Sequence, residues 1–301
     1  MIRLLIHNIR ILGVHLLCIA FVLSGCQMGT GSGLGVDVGP ELSSFFEVER
    51  QAKIDKNKRR LDVIIPTFDP GLSEDAKNYE EAGVWPELRR AEANRFAFKL
   101  KGAMDALKAF GAVRVTPDAS ATGDLYILGK IIESNGYTVK IRVQVADMTG
   151  QQWFTRVFEH SVPKGFYKGI RNSGMDPYDP LFVRVANRIA VELEDVGNNE
   201  LDRIRNVTEL RFASSFSEDT FSKHLVVEDG KYDIYSLPSD NDPMLKRVRV
   251  IRVRDQLFVD GLQEHYKGFS QTMEASYFVW QEQSNLELAA KREKESEAAG
   301  E

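Results

Sequence analysis

Cysteine is nearly missing from this chain of 301 residues, which has only Cys18 and Cys26. A disulfide framework is thereby excluded, and so is a structural zinc site built on thiolates. Histidine is almost as scarce. Beyond the first 25 residues only His160, His224 and His265 remain, in three separate segments, with no His-x-x-x-His or Glu-x-x-His spacing to build a metal site on one helix face. There is no Gly-x-Ser-x-Gly elbow, and Ser214, Ser215 and Ser217 read as a polar helix end. Carboxylates such as Glu192 and Glu194 sit at helix positions that point apart. The glycines from Gly29 to Gly35 have no strand before them and no Gly-Lys-Ser after them, so a phosphate loop is not expected. A basic excess is lacking too: the formal net charge is -5, and nothing in that balance suggests nucleic acid. No catalytic residue, metal or cofactor is expected, although a hydrolase acting on peptidoglycan stays open as a minor alternative.

What is present begins at the amino terminus. Arg3 and Arg10, with no acidic neighbour, precede an apolar run from Ile11 to Leu23 that is short for a membrane span. Leu23-Ser24-Gly25-Cys26 then resembles the lipobox of bacterial lipoproteins. That resemblance implies cleavage before Cys26 and lipidation of its thiol, which anchors a chain without a transmembrane helix. Residue 27 is Gln, not the aspartate of inner-membrane retention, so the expected location is the periplasmic face of the outer membrane. Loss of Arg3 and Arg10 lowers the net charge from -5 by two, to -7. The expected divisions are a signal peptide at 1–25, a glycine-rich tether at 26–45, an α/β sandwich at 46–196, a helical region at 197–290 and a charged disordered tail at 291–301.

Hydrophobic periodicity supplies the fold class. "LDVIIPTFDP" from Leu61 suits a buried strand. After a loop, Phe96, Leu100, Ala103, Leu107 and Phe110 recur at helical spacing, with Pro86 near the start and Gly111 where a left-handed cap belongs. "AVRVT" and "DLYILGKII" are short strands. Val139, Ile141, Val143 and Val145 then alternate with Lys140, Arg142 and Gln144, turn at Asp147–Gly150 and resume at Trp153, as two antiparallel strands do. Pro180 opens a helix with Phe182, Val185, Ile189 and Leu193 on one face, for which Asp179 is a candidate cap. The order predicts an α+β protein: a small sandwich with a mostly antiparallel sheet, followed by helices.

"LDVIIPTFDP", "ALKAFGAVRVTP", "ATGDLYILGKI" and "VQVADMTGQQWF" together resemble periplasmic domains of three kinds of protein. These are the curli-export lipoprotein, the lipoprotein activators of penicillin-binding proteins and the amino-terminal domain of the Tol-system propeller protein. The resemblance spans residues 61 to 195 and implies a non-enzymatic binding or assembly module. The chain departs from the curli exporter in lacking an obvious second amphipathic β-hairpin for a membrane barrel, which puts pore formation in doubt.

The last third is different in texture. After a polar helical stretch (Asn199 to Phe216) and a hairpin turning at Asp229-Gly230, a helix is predicted from Met244 to Ala290. Met244, Val248, Ile251, Phe258, Leu262, Phe269, Met273, Tyr277 and Trp280 form its apolar stripe. At about 1.5 Å per residue it would reach about 70 Å, so either it bends near Gly261 or Gly268 and folds back, or its far end meets a partner. Phe269, Met273, Tyr277 and Trp280 are the candidate partner-binding residues. The basic group Lys246, Arg247, Arg249, Arg252 and Arg254 reads as a solvated face that could also meet an acidic partner. "DPYD" (Asp176 to Asp179) reads first as a Pro-stiffened start to the second helix and second as a recognition loop. The function expected is a lipid-anchored periplasmic scaffold or adaptor in an envelope machine for secretion or surface-structure export. Its partners are the membrane, through Cys26, and periplasmic proteins, self-association included. The alternative is an activator of a peptidoglycan synthase.

Overall fold

The computed structural model describes residues 52–72, 79 and 84–299. Cys26 and the residues expected to form the signal peptide and the tether lie outside the described residues.

Strand β1 (Val63–Pro66) is buried on both faces, as a four-residue apolar run must be if it sits inside a sheet. Helix α1 (Pro86–Leu107) carries the chain across to β2 (Val113–Thr116), which pairs parallel to β1. Strand β3 (Leu125–Ser134) pairs parallel to β1 on its other side. From β3 the sheet continues antiparallel through β4 (Thr138–Asp147) and β5 (Gln152–Ser161), giving the order β2-β1-β3-β4-β5. The protein is α+β, and its sheet is mixed: the long β3-β4-β5 meander is antiparallel and the short β2-β1-β3 part is parallel.

Helix α2 (Asp179–Asp195) packs against α1, and Phe96 of α1 meets Phe182 of α2 edge-on at 5.2 Å between ring centroids. Phe182, Val185, Ile189 and Leu193 are all buried, as their spacing requires. Asp179 does not cap α2 through its side chain; Lys99 binds it instead at 2.9 Å. The left-handed residue that ends α1 is Lys108 (φ 56°), not Gly111. Gly111 serves a close approach, donating its N–H to the Leu61 carbonyl where a Cβ would meet Asp62 Oδ1 at 2.4 Å.

Helix α3 (Asn198–Phe216) adds Leu201 and Ile204 to the sandwich core, so that core does not stop at residue 196. A single turn, α4 (Glu218–Phe221), leads into a hairpin of β6 (Leu225–Glu228) and β7 (Lys231–Ile234), whose turn holds Asp229 and Gly230 at positive φ. Together with the end of α3 and Leu245 and Val248 it closes a second, smaller core.

The last element, α5 (Pro243–Ala299), is one uninterrupted helix of 57 residues. Asp242 starts it by accepting N–H bonds from Met244 and Leu245. Neither Gly261 nor Gly268 breaks it, and it does not fold back. It also continues through the residues expected to form a disordered tail, as far as Ala299.

One glycine of the sheet gives a direct test. A Cβ on Gly129 would stand 2.4 Å from three ring atoms of Phe68, which is itself buried. Gly129→Ala should cost about 1–3 kcal/mol as overpacking, read as a lower denaturant midpoint. Combined with Phe68→Leu it should destabilise less than the two single changes summed; simple additivity would show that the two sites do not compete for space.

Candidate functional site

Helix α5 is fastened to the sandwich by polar side chains, and the fastening is the most organised chemistry among the described residues. At the sheet edge, Arg114 of β2 grips Asp260 with two bonds, Nε to Oδ1 at 2.6 Å and Nη2 to Oδ2 at 3.1 Å. One turn on, Gln263 receives the Val115 N–H at 2.9 Å and donates its amide to the Val115 carbonyl at 2.9 Å. The side-chain amide thus stands where another strand would pair, which masks the free edge of β2.

Further along, Arg95 of α1 is fully buried and paired with Asp176 at 2.8 Å. Its guanidinium also lies 4.7 Å from the Tyr277 ring centroid and 3.8 Å from Glu274. Lys99 pairs with the same Asp176 oxygen at 3.2 Å. Burial pushes the Asp176 carboxyl up, but Lys99 and Arg95 outweigh it and hold it below the ordinary carboxylate range. Beside this pair, Glu92 accepts from Ser134 Oγ at 2.5 Å and from the Tyr277 hydroxyl at 2.8 Å, with Arg89 at 3.2 Å. Burial raises its carboxyl to about 7, against the pull of the Ser134 hydrogen bond and the Arg89 charge.

This arrangement corrects the expected partner-binding set. Tyr277 belongs to the protein's own core, with its ring against Arg95 and its hydroxyl on Glu92. Met273 and Trp280 are partly buried against the same core, and Phe269 alone of the four is exposed, at 42%. The docked line of α5 runs through Val259, Gln263, Ser270, Tyr277 and Gln281, close beside the predicted stripe. Phe258, expected inside, is 68% exposed. "DPYD" is likewise structural: Tyr178 is buried and receives the Gly136 N–H, while Asp176 holds Arg95. Sequence reading missed Arg89 and Glu92, although they continue the Phe96–Leu100 face one and two turns upstream, a position that marked them as buried.

Two clefts flank α5. A charged one of about 620 Å³ is lined by Arg60, Arg205, Arg252, Asp62, Asp124 and Glu209 among others. Glu209 is paired with Arg249 at 2.7 Å, while Asp124 accepts the Asp62 N–H through Oδ2 at 2.9 Å and leaves Oδ1 buried without a hydrogen bond, 3.9 Å from Arg252. The other, about 640 Å³, is rimmed by Phe216 and Phe258 with Met148, Phe212 and Leu262 inside. His224 meets Ser236, His265 is exposed, and among the described residues no group of three or more His, Cys, Asp or Glu is placed to hold a metal. Nor, among them, is any helix long and apolar enough to cross a membrane. Compared with protein families, with curated proteins and with solved structures, the chain matches none.

Glu92 makes the fastening pH-dependent. A carboxyl whose folded pKa lies above its unfolded value of 4.5 stabilises the fold fully below pH 4.5, and that contribution is lost as pH rises toward about 7. The size is on the order of 3 kcal/mol. Denaturant midpoints measured from pH 5 to pH 8 should fall less steeply for Glu92→Gln than for the unchanged chain. Parallel slopes would remove Glu92 from this role.

Proposed function

We propose that the protein is an outer-membrane lipoprotein, held by lipid on Cys26 at the periplasmic face. There it serves as a non-enzymatic scaffold or adaptor in the assembly or regulation of a cell-envelope machine for secretion or surface-structure export. The observation that supports this most is α5. At about 1.5 Å per residue its 57 residues reach about 85 Å, and it is strapped rigidly to a small sandwich while presenting Leu257 and Phe258 to solvent. Large exposed apolar side chains on a stiff support suit protein contact. The groove rimmed by Phe216 and Phe258 adds a concave surface of mixed character, with Asp118, Asp147, Arg211 and Asp255 beside its apolar side chains. The run from Arg3 to Cys26 supports the address and the anchor.

Activation of a peptidoglycan synthase is a second reading within the binding class, resting on the likeness of the sandwich strands to the activator lipoproteins. A hydrolase is less favoured, because in the charged cleft Glu209 is held by Arg249, and Asp124 is buried beside Arg252. Cys26→Ser should end lipid labelling and move the protein from the membrane fraction to the soluble periplasm; unchanged fractionation and processing would refute the anchor. Incubation of the purified protein with sacculi should release no muropeptides, and their appearance would overturn the non-enzymatic reading.

A further inference from the structure

The face of α5 turned away from the sandwich has a pattern that neither docking nor solvation explains. At about 100° per residue, Val250, Leu257, Val279 and Leu286 fall on one line, roughly 160° from the docked line. All four are exposed, Leu257 at 64% and Val279 at 61%. Between them on the same line lie Gly261, Gly268 and Ala275, and a Cβ at either glycine would meet nothing within 4 Å. The positions read alike from both ends. Counting outward from Gly268, Gly261 mirrors Ala275, Leu257 mirrors Val279, and Val250 mirrors Leu286.

Charge has the opposite symmetry. Between Pro243 and Lys267 the helix carries six Lys or Arg and three Asp or Glu; between Phe269 and Ala299 it carries three and six. Arg249, Arg252, Asp260, Glu274 and Arg292 are engaged by Glu209, Asp124, Arg114, Arg95 and the Tyr137 ring, and without them the two halves carry four and two, and two and five. Arg254 and Glu282 stand at mirrored positions on either flank of this line, Arg254 exposed and Glu282 half-buried near Tyr167, and neither is in a salt bridge among the described residues. A surface joined to its own copy about a two-fold axis must be self-complementary: like apolar groups meet across the axis, and each charge meets its opposite. An antiparallel pair of α5 helices centred on Gly268 satisfies both conditions, with apolar residues facing apolar ones and Arg254 facing Glu282 twice.

We propose that the protein forms a two-fold symmetric dimer through this outward face, with two α5 helices antiparallel and closest at Gly268. The absent side chains at Gly268 and Gly261 let the backbones approach, and the two sandwiches lie on opposite outer sides of the helix pair, so they do not collide. The stretch from Val250 to Leu286 is about 54 Å long and roughly 10 Å wide. Counted on both copies, it buries at most about 1,100 Å², at the lower end for a specific interface. The proposal does not rest on the envelope reading, and its test needs no lipid.

The test uses the full chain in mild detergent, with Cys18 and Cys26 replaced by serine and one cysteine introduced by Gly268→Cys. Mild oxidation at micromolar concentration should couple this chain to itself at least ten-fold more than a chain carrying Val227→Cys on the exposed β6 strand. Adding Arg254→Glu should cut the yield several-fold, and adding Glu282→Arg as well should restore it. Leu257→Glu with Val279→Glu should give a monomeric mass while the denaturant midpoint stays put. Coupling at Gly268→Cys no greater than at Val227→Cys overturns the dimer. A charge exchange that does not restore coupling overturns the antiparallel register. Should the double glutamate variant fail to fold, the Arg254 and Glu282 exchange still decides.

Discussion

A guanidinium with no water around it governs this fold. Arg95 sits in the core beneath α5, and a buried cation is tolerated only where anions and hydrogen bonds compensate its lost hydration. Asp176, from the loop that leads into α2, supplies the charge, and Tyr277 and Ser270, from α5, supply the ring and the hydroxyl. Two helices and a loop from distant parts of the sequence therefore converge on one side chain. An apolar residue there would fill space as well, but it would leave the rotation and register of α5 far less determined, since many offsets of a helix bury similar apolar area. Polar partners accept few offsets.

The same logic extends along the helix. Asp260 and Gln263 engage β2, Tyr277 engages Glu92, and Asn285 donates to the Gly136 carbonyl at 3.3 Å. These contacts divide α5 into a fixed inner line and a free outer line. A rod whose inner line is bolted at several points presents its outer line at a defined angle, which is what a recognition surface requires.

Much of the sandwich was legible because its residues obey simple periods. Val139, Ile141, Val143 and Val145 alternate and are all fully buried. The helix faces through Phe96 and Phe182 were equally readable. Parallel pairing on β1 was not, since four apolar residues look the same whichever neighbour they have. The seat of α5 was misread for a definite reason: its docked line contains Gln263, Ser270 and Gln281, which bury polar groups, while Phe258 lies outside. A search for apolar residues at spacings of three and four slides off such a line by one position. Arg95 escaped for the same cause, because composition assigns arginine to the surface and only its partners, Asp176 and Tyr277, place it within.

The clamp on β2 also sets an order of events. Gln263 meets Val115 across 148 residues of sequence, and Tyr277 meets Glu92 across 185. Contacts so remote form late, because closing large loops is entropically slow. Until Gln263 docks, the β2 edge offers open hydrogen-bonding groups to any extended segment nearby. Helix α5 is thus what ends the folding chain's exposure to mispairing, and a chain cut short before residue 263 would keep that edge open for life.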